Sequence, residues 1–237
     1  MPASPIQQFI DRWKGADGSE QANSQPFLLG LCAAYDLPTP DPAARDAADN
    51  AYCFERRVTF NNPDGTDNIG RIDLYRRDRF ILEAKRTGKA FQSQAWDAAM
   101  IKAHGQAQRY ARALPADEGR PPFLIILDVG RGIELYSEFS RSGGAYVPFP
   151  DPRSHVISLE DLAHDEIRDR LRAVWLDPLS LDPSLRSARV TKVIATELAK
   201  LAESLEKQGH DAESVAAFLY ALPLHDVRRG HRSASGQ

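Results

Sequence analysis

Residues 122–130, Pro-Phe-Leu-Ile-Ile-Leu-Asp-Val-Gly, constrain the fold of this chain more than any other stretch. A short apolar run without polar alternation reads as a strand covered on both faces, because a half-exposed strand alternates. The following run, Gly132-Ile-Glu-Leu-Tyr-Ser-Glu-Phe139, does alternate. It predicts a half-exposed neighbour reached across a tight turn at Arg131. A sheet with a fully covered strand needs helices on its faces, so the rest of the chain must supply them.

Helical periodicity meets that requirement. Ile6, Phe9, Ile10 and Trp13 recur at spacings of three and four behind Pro5, a favourable first-turn residue. Pro26 to Tyr35 is too apolar to be other than a buried helix, with Glu20 and Gln25 at its polar entrance. A third helix spans roughly Gln92 to Leu114, with Trp96, Ala99, Met100, Ala103, Ala107 and Tyr110 on one stripe and Pro115 as its stop. Residues 37–50 hold three prolines and little to bury, which predicts a surface connection.

Between the second and third helices lie three strand signals: Tyr52–Phe60, then two runs flanking Arg76-Arg77-Asp78-Arg79. The Asn61-Asn-Pro-Asp-Gly-Thr turn joins the first to the second, giving an antiparallel meander. If the second hairpin pivots near Asp78, Asp73 lies opposite Glu83, and Lys85 follows on the side of Glu83. Two carboxylates and an ammonium then converge. Such groups are rarely buried unless paired, and Leu82 and Ala84 already supply an apolar face. Two carboxylates can hold Mg²⁺ while leaving positions for water and phosphate, and a lysine can orient the attacking water. A solvated edge hairpin with an Asp–Lys pair accounts for the same spacing equally well.

The chain has 237 residues, 42% hydrophobic and 27% charged, enough for one sizeable core and an accessory element. Its formal charge of -3 argues against a domain that coats nucleic acid by bulk charge. Locally the balance reverses: Arg71, Arg76, Arg77, Arg79, Lys85, Arg86 and Lys89 crowd the hairpin, and Lys102, Arg109 and Arg112 follow on the next helix. That is enough for a phosphate-facing stripe, although ordinary solvated surface charge also explains it. No apolar run approaches a membrane span, and the N-terminus lacks signal-peptide character, so a cytoplasmic location without membrane contact is expected. Cys32 and Cys53 show no metal-ligand spacing and are expected to be buried free thiols.

From Ser158 the character changes. Ser158-Leu-Glu-Asp predicts a capped helix running to Trp175, then a second from about Ser184 to Gln208 and a third from Ala212 to Tyr220. Their apolar stripes suit a connector awaiting a neighbouring domain, or packing on the sheet.

The spacing Asp73-x9-Glu83-x-Lys85 resembles the active site of PD-(D/E)xK nucleases. A wider set of residues resembles the N-terminal domain of MmeI-type (type IIL) restriction-modification enzymes. It comprises the Arg-Trp helix end, Glu20, Gln25-Pro-Phe27 with Cys32, Phe54-Glu55 with Val58, Arg71 to Tyr75, Leu82 to Lys85, Gln106 to Tyr110 and Ala111 to Pro115. The resemblance covers nearly all of residues 5–218. It implies an α/β fold: a restriction-endonuclease-like core with a mixed sheet flanked by helices over 1–155, and an α-helical connector over 156–219. It further implies a Mg²⁺-dependent endonuclease acting on double-stranded DNA, with Mn²⁺ as a substitute ion. Asp73 and Glu83 would be metal ligands and Glu20 an additional acid beside them. Lys85 would assist attack, and Gln106 with Tyr110, one turn apart on one helix face, would line the cleft.

The family fuses this nuclease to an S-adenosylmethionine-dependent adenine methyltransferase and a target-recognition domain. This chain carries neither a Gly-rich cofactor loop nor an Asn-Pro-Pro-aromatic motif, so S-adenosylmethionine binding is not expected here. A separate methyltransferase or recognition subunit is the expected protein partner. Residues 220–237 depart from the family pattern; a one-nucleotide frameshift after Leu219 would account for them, leaving a disordered tail. The competing expectation is a non-catalytic module that keeps the nuclease fold but only binds DNA or docks a methyltransferase.

Overall fold

The computed structural model describes residues 3–16, 20–61 and 67–221. Its elements in order are α1 (Pro5–Trp13), α2 (Glu20–Ala34), β1 (Tyr52–Asn61), β2 (Asp67–Arg76), β3 (Phe80–Lys85), α3 (Gln94–Ala113), β4 (Phe123–Asp128), β5 (Gly132–Ser137), β6 (Val147–Pro148), β7 (Val156–Ser158), α4 (Asp165–Leu176), α5 (Pro183–Lys207) and α6 (Ala212–Ala221). The chain divides into two compact units, Met1–Asp182 and Pro183–Gln237.

The first unit is built on a mixed sheet of order β1-β2-β3-β4-β5-β6, with β7 pairing to β5 beside β6. β1, β2 and β3 form the expected antiparallel meander, and α3 is the crossover that lets β4 run parallel to β3. The register from a turn at Asp78 is also the one expected: Leu74 pairs with Leu82, Tyr75 with Ile81 and Arg76 with Phe80. Asp78 itself adopts φ 60°, and its carboxylate pairs with Arg141.

β4 is buried at every residue, as its unbroken apolar run requires. On one face α1, α2 and α4 cover Leu74, Phe80, Leu82, Phe123, Ile125 and Leu127. On the other, Trp96, Met100, Ala103 and Ala107 of α3 cover Ile81, Leu124 and Ile126. Ser4 caps α1 and Ser93 caps α3, each hydroxyl accepting a backbone N–H three residues on.

Four details differ from sequence expectation. Helix α2 begins at Glu20 and carries Pro26 inside it, whereas a proline next to an apolar run suggests a helix start. Burial of Phe27, Leu28, Leu31 and Cys32 holds the helix together across that proline. Strand β5 is buried throughout rather than half exposed. Glu134 and Tyr136 sit beneath α3, where His104 stacks on Tyr136 with ring centroids 4.0 Å apart and Tyr136 donates to Glu134 at 2.8 Å. The brief strands β6 and β7 were not foreseen.

Ser158 does cap as expected, its hydroxyl accepting Asp161 N–H while Asp161 accepts Ser158 N–H. The turn it caps, however, is a short 3-10 segment, Glu160–Ala163, and α4 starts afresh at Asp165. Of the two fates open to the first C-terminal helix, packing on the sheet is the one adopted. Leu171, Val174 and Trp175 are fully buried in the sheet's core, and Trp175 donates its indole N–H to Tyr52 Oη at 3.1 Å. Helices α5 and α6 make up the second unit, with Val215 buried and Leu185, Val190, Val193 and Phe218 exposed. Beyond Ala221 the expected tail lies outside the described residues. Cys32 and Cys53 are buried and free, and among the described residues no helix is long and apolar enough to cross a membrane.

Deleting the Trp175 side chain removes a fully buried indole and the N–H that Tyr52 Oη accepts, leaving that hydroxyl its bond to Pro38 O at 3.1 Å. Trp175→Ala should therefore cost about 3–5 kcal/mol in urea denaturation. A loss below about 1 kcal/mol would mean that α4 does not belong to the sheet's core.

Burial pushes the Glu134 carboxyl up, Tyr136's hydrogen bond only partly offsets this, and Asp97's charge adds to the rise. The folded chain thus holds this proton more tightly than the unfolded chain. Stability contributed by the protonated group is present at acid pH and lost as pH rises through the folded-state value. Glu134→Gln keeps an acceptor for Tyr136 without the ionisation. Its stability advantage over wild type should grow across that window and vanish below the ordinary carboxylate range; a pH-independent difference would refute this account.

Candidate active site

The site forms where the sheet parts. β2 follows β1 as far as the Asn61–Asp67 pair, yet it pairs with β3 only from Leu74 to Arg76. β3 instead runs on beside β4 to the Lys85–Asp128 pair. The last β2 residue before the shared ladder is Asp73, and its Oδ2 accepts the backbone N–H of Ala84 at 2.6 Å. A side-chain carboxylate does there what a strand carbonyl does elsewhere, so the two strands can separate without stranding a buried donor.

Both strands of the first hairpin bend at the same level. Opposite Asp73, Glu55 has φ 54°, in the left-handed region that a side chain rarely adopts. The β1–β2 ladder passes from the Phe54–Leu74 pair to the Arg56–Ile72 pair without a pair between them. Residues two apart on a regular strand share a face. Here Leu74 lies in the core under α1, α2 and α4, while Ile72 lies in the core under α3. The strand has rotated about Asp73, which turns that carboxylate toward β3.

Glu83 and Lys85 alternate with Leu82 and Ala84 and so lie on the α3 face. Lys85 Nζ meets Glu83 Oε1 at 2.6 Å, with the lysine side chain 27% exposed and the glutamate 2%. The carboxylate is thus buried while its ammonium partner keeps contact with solvent.

From α3, Gln106 Nε2 donates to Tyr110 Oη at 2.9 Å. Burial raises the Tyr110 phenol; the hydrogen bonds from Gln106 and the Arg71 backbone oppose that rise, while the charges of Glu83 and Asp73 reinforce it. The phenol therefore senses both carboxylates and stays protonated at neutral pH, as a hydrogen-bond donor. Its ring lies across β2 at Gly70, where a Cβ would come within 2.6 Å of Tyr110 Cε1 and 2.7 Å of Phe60 Cε2. An isolated glycine within a strand pattern signals such a close approach.

Sequence reasoning also passed over Asp128. Fully buried at the end of β4 beside Lys85, it accepts Thr87 N–H at 3.0 Å, Thr87 Oγ1–H at 2.7 Å and Trp96 Nε1–H at 2.8 Å. Val129 N–H donates to the Lys85 carbonyl, and Arg86 donates to Ala16 O at 2.7 Å. The backbone leaving Lys85 is thus fixed from two sides. The visible signal was a lone acid inside an otherwise apolar strand. Glu20 opens helix α2, but its side chain lies outside what the structure describes.

Residues 1–208 match the family model described as MmeI, N-terminal domain. The chain belongs to this family. No curated protein and no solved structure matches it. Membership places this MmeI N-terminal domain among the domains of restriction-modification enzymes.

Among the described residues, no group of three or more His, Cys, Asp or Glu side chains is placed to hold a metal ion. The donor chemistry of Asp73 and Glu83 nonetheless fits a hard divalent cation, which binds through one or two carboxylates and keeps several waters. Asp73 stays oriented by Ala84 N–H, and Lys85 offsets the charge of Glu83.

Adding a methyl group at Gly70 drives it into two ring edges. Gly70→Ala should lower stability by about 1–3 kcal/mol as Tyr110 and Phe60 shift. Pairing it with Phe60→Leu should recover part of the loss in thermal melts; no loss in the single variant would show that the Tyr110 ring does not rest on β2.

Proposed function

We propose that this domain is the metal-dependent endonuclease part of a restriction-modification enzyme, of the PD-(D/E)xK type, hydrolysing a phosphodiester of double-stranded DNA. The observation that carries the proposal is the parting of β2 and β3 at Asp73, beside Glu83 and Lys85 at the end of β3. Two acids and a base thereby border one opening in the sheet.

Asp73 and Glu83 are the residues that would hold Mg²⁺ or Mn²⁺. The ion, when bound, supplies Lewis-acid polarisation of a phosphoryl oxygen and acidifies a coordinated water. The chain's own groups do the rest. Lys85 carries a partly exposed ammonium that can donate to the entering phosphate and offset the charge developing on its oxygens. Its position is set by the backbone that Asp128 and Thr87 pin behind it. Tyr110 keeps its proton beside the two carboxylates and can donate to a phosphate oxygen, with Gln106 fixing the phenol's direction. Hydrolysis breaks one P–O ester bond and forms one P–O bond from water, leaving a phosphomonoester and a hydroxyl.

A supercoiled plasmid with Mg²⁺ or Mn²⁺ reads the activity directly. Wild type should nick or linearise it, a chelator should stop the reaction, and Lys85→Ala should slow it by about 10²–10³-fold, the cost typical of losing one donor to transition-state charge. Cutting indifferent to Lys85→Ala, or no cutting with either ion, would leave a nuclease fold without the chemistry.

A further inference from the structure

Beside the site, the C-terminal half of α3 and the end of β1 enclose a groove of roughly 550 Å³ lined by Thr59, Phe60, Arg109, Arg112, Leu114 and Pro115. Its wall toward the site is aromatic, with Phe60 and Tyr110 at a centroid distance of 5.8 Å. The Tyr110 ring in that wall also rests on β2 at Gly70, three residues before Asp73. Groove and site are therefore neighbours on one face of the sheet, separated by a ring.

The charge in the groove is of one sign. Between Asp97 and Asp117 the chain contains no acidic residue, but it contains Lys102, Arg109 and Arg112, in a protein whose net charge is -3. Arg109 and Arg112 are both exposed, and neither forms a salt bridge with a described carboxylate. An arginine in a last helical turn commonly serves the helix's own negative end. That duty is already met from outside: Arg120 donates to the carbonyls of Arg112 at 3.2 Å and Leu114 at 2.8 Å. Among the described residues, neither groove arginine has an ion-pair partner or a helix-capping duty.

We infer that Arg109 and Arg112 grip the DNA backbone, holding phosphates a few nucleotides from the one at Asp73 and Glu83. This extends the nuclease proposal above and rests on it for the identity of the polymer. The scale fits: from Gln106 to Arg112 the helix advances about 9 Å at 1.5 Å per residue. Nucleotides follow one another every ~3.4 Å of duplex axis, so this spans two to three of them. Guanidinium groups suit the task because their planar fork matches a phosphate's two oxygens. Contacts of this kind fix register on the duplex and carry no sequence information.

The test is the salt dependence of binding, read by fluorescence anisotropy on a short labelled duplex in chelator, where no cutting can intervene. Wild type is compared with the Arg109→Gln/Arg112→Gln pair over about 50–200 mM salt. Each neutralised phosphate contributes about 0.9 to the slope of log K against log salt, so the pair should flatten it by roughly 2. Arg109→Lys/Arg112→Lys, which keeps the charge, should restore most of the slope. A charge-matched control in the second unit, Lys192→Gln/Lys200→Gln, should leave it unchanged, and melts should show the groove variants folded. An unchanged slope in the groove pair, an equal drop in the control, or no DNA binding by wild type would overturn the inference. A chain that binds through these arginines but never cuts sinks the nuclease reading alone. One that cuts with an unaltered slope sinks the groove alone.

Discussion

One hydrogen bond organises this molecule around its site: the Asp73 carboxylate accepting the N–H of Ala84. Sheets resist being opened, because each strand that departs leaves donors and acceptors without partners in a place water reaches poorly. Here a side chain supplies the missing acceptor, and the opening lies between strands that remain paired on their other sides, save at the Glu55–Asp73 level. The backbone accommodates it on the neighbouring strand, where Glu55 takes a left-handed conformation. A carboxylate committed to the backbone in this way is also pre-oriented, which costs the site nothing when a ligand arrives.

Around that opening the chain distributes its restraints unevenly. α3 spans the face above it and reaches β2 through Tyr110 and β4 through Trp96, so one helix ties the strands on either side of β3. The buried cation Arg56 pairs with Glu118 at 2.5 Å, and Tyr75 donates to the same carboxylate at 2.8 Å, tying β1 and β2 to the segment after α3. Such an ion pair is no strong source of net stability, but breaking one side of it is costly. It therefore acts as a lock on relative placement. The end of β3 is held by Asp128 in a similar manner, through the donors of Thr87 and Trp96.

Much of this was legible in the amino-acid order, and the reason differs by element. The hairpin register followed from a short polar turn between two apolar runs, where alternation leaves a single solution. The helices followed from spacings of three and four. What escaped notice depends on partners distant in sequence. The burial of β5 requires His104 of α3 to lie over Tyr136, and nothing near residue 136 announces it. Pro26 masked the true start of α2, because a rule about local preference was overridden by the packing of Phe27 and Leu31. Asp73, Glu83 and Lys85 stood out as chemistry, whereas the rotation of β2 at Asp73 could not be inferred from spacing, since strict alternation forbids it. Gly70 and Asp128 were visible as exceptions to a pattern, one small and one charged.

The bond between Asp73 and the Ala84 amide bears on how any substitution at that position is interpreted. Asparagine at that position removes the negative charge yet retains a carbonyl oxygen for the Ala84 amide; alanine discards both. Two replacements that remove the same charge would thus produce different molecules, the former an electrostatic lesion in an intact frame, the latter a frame whose seam has come undone.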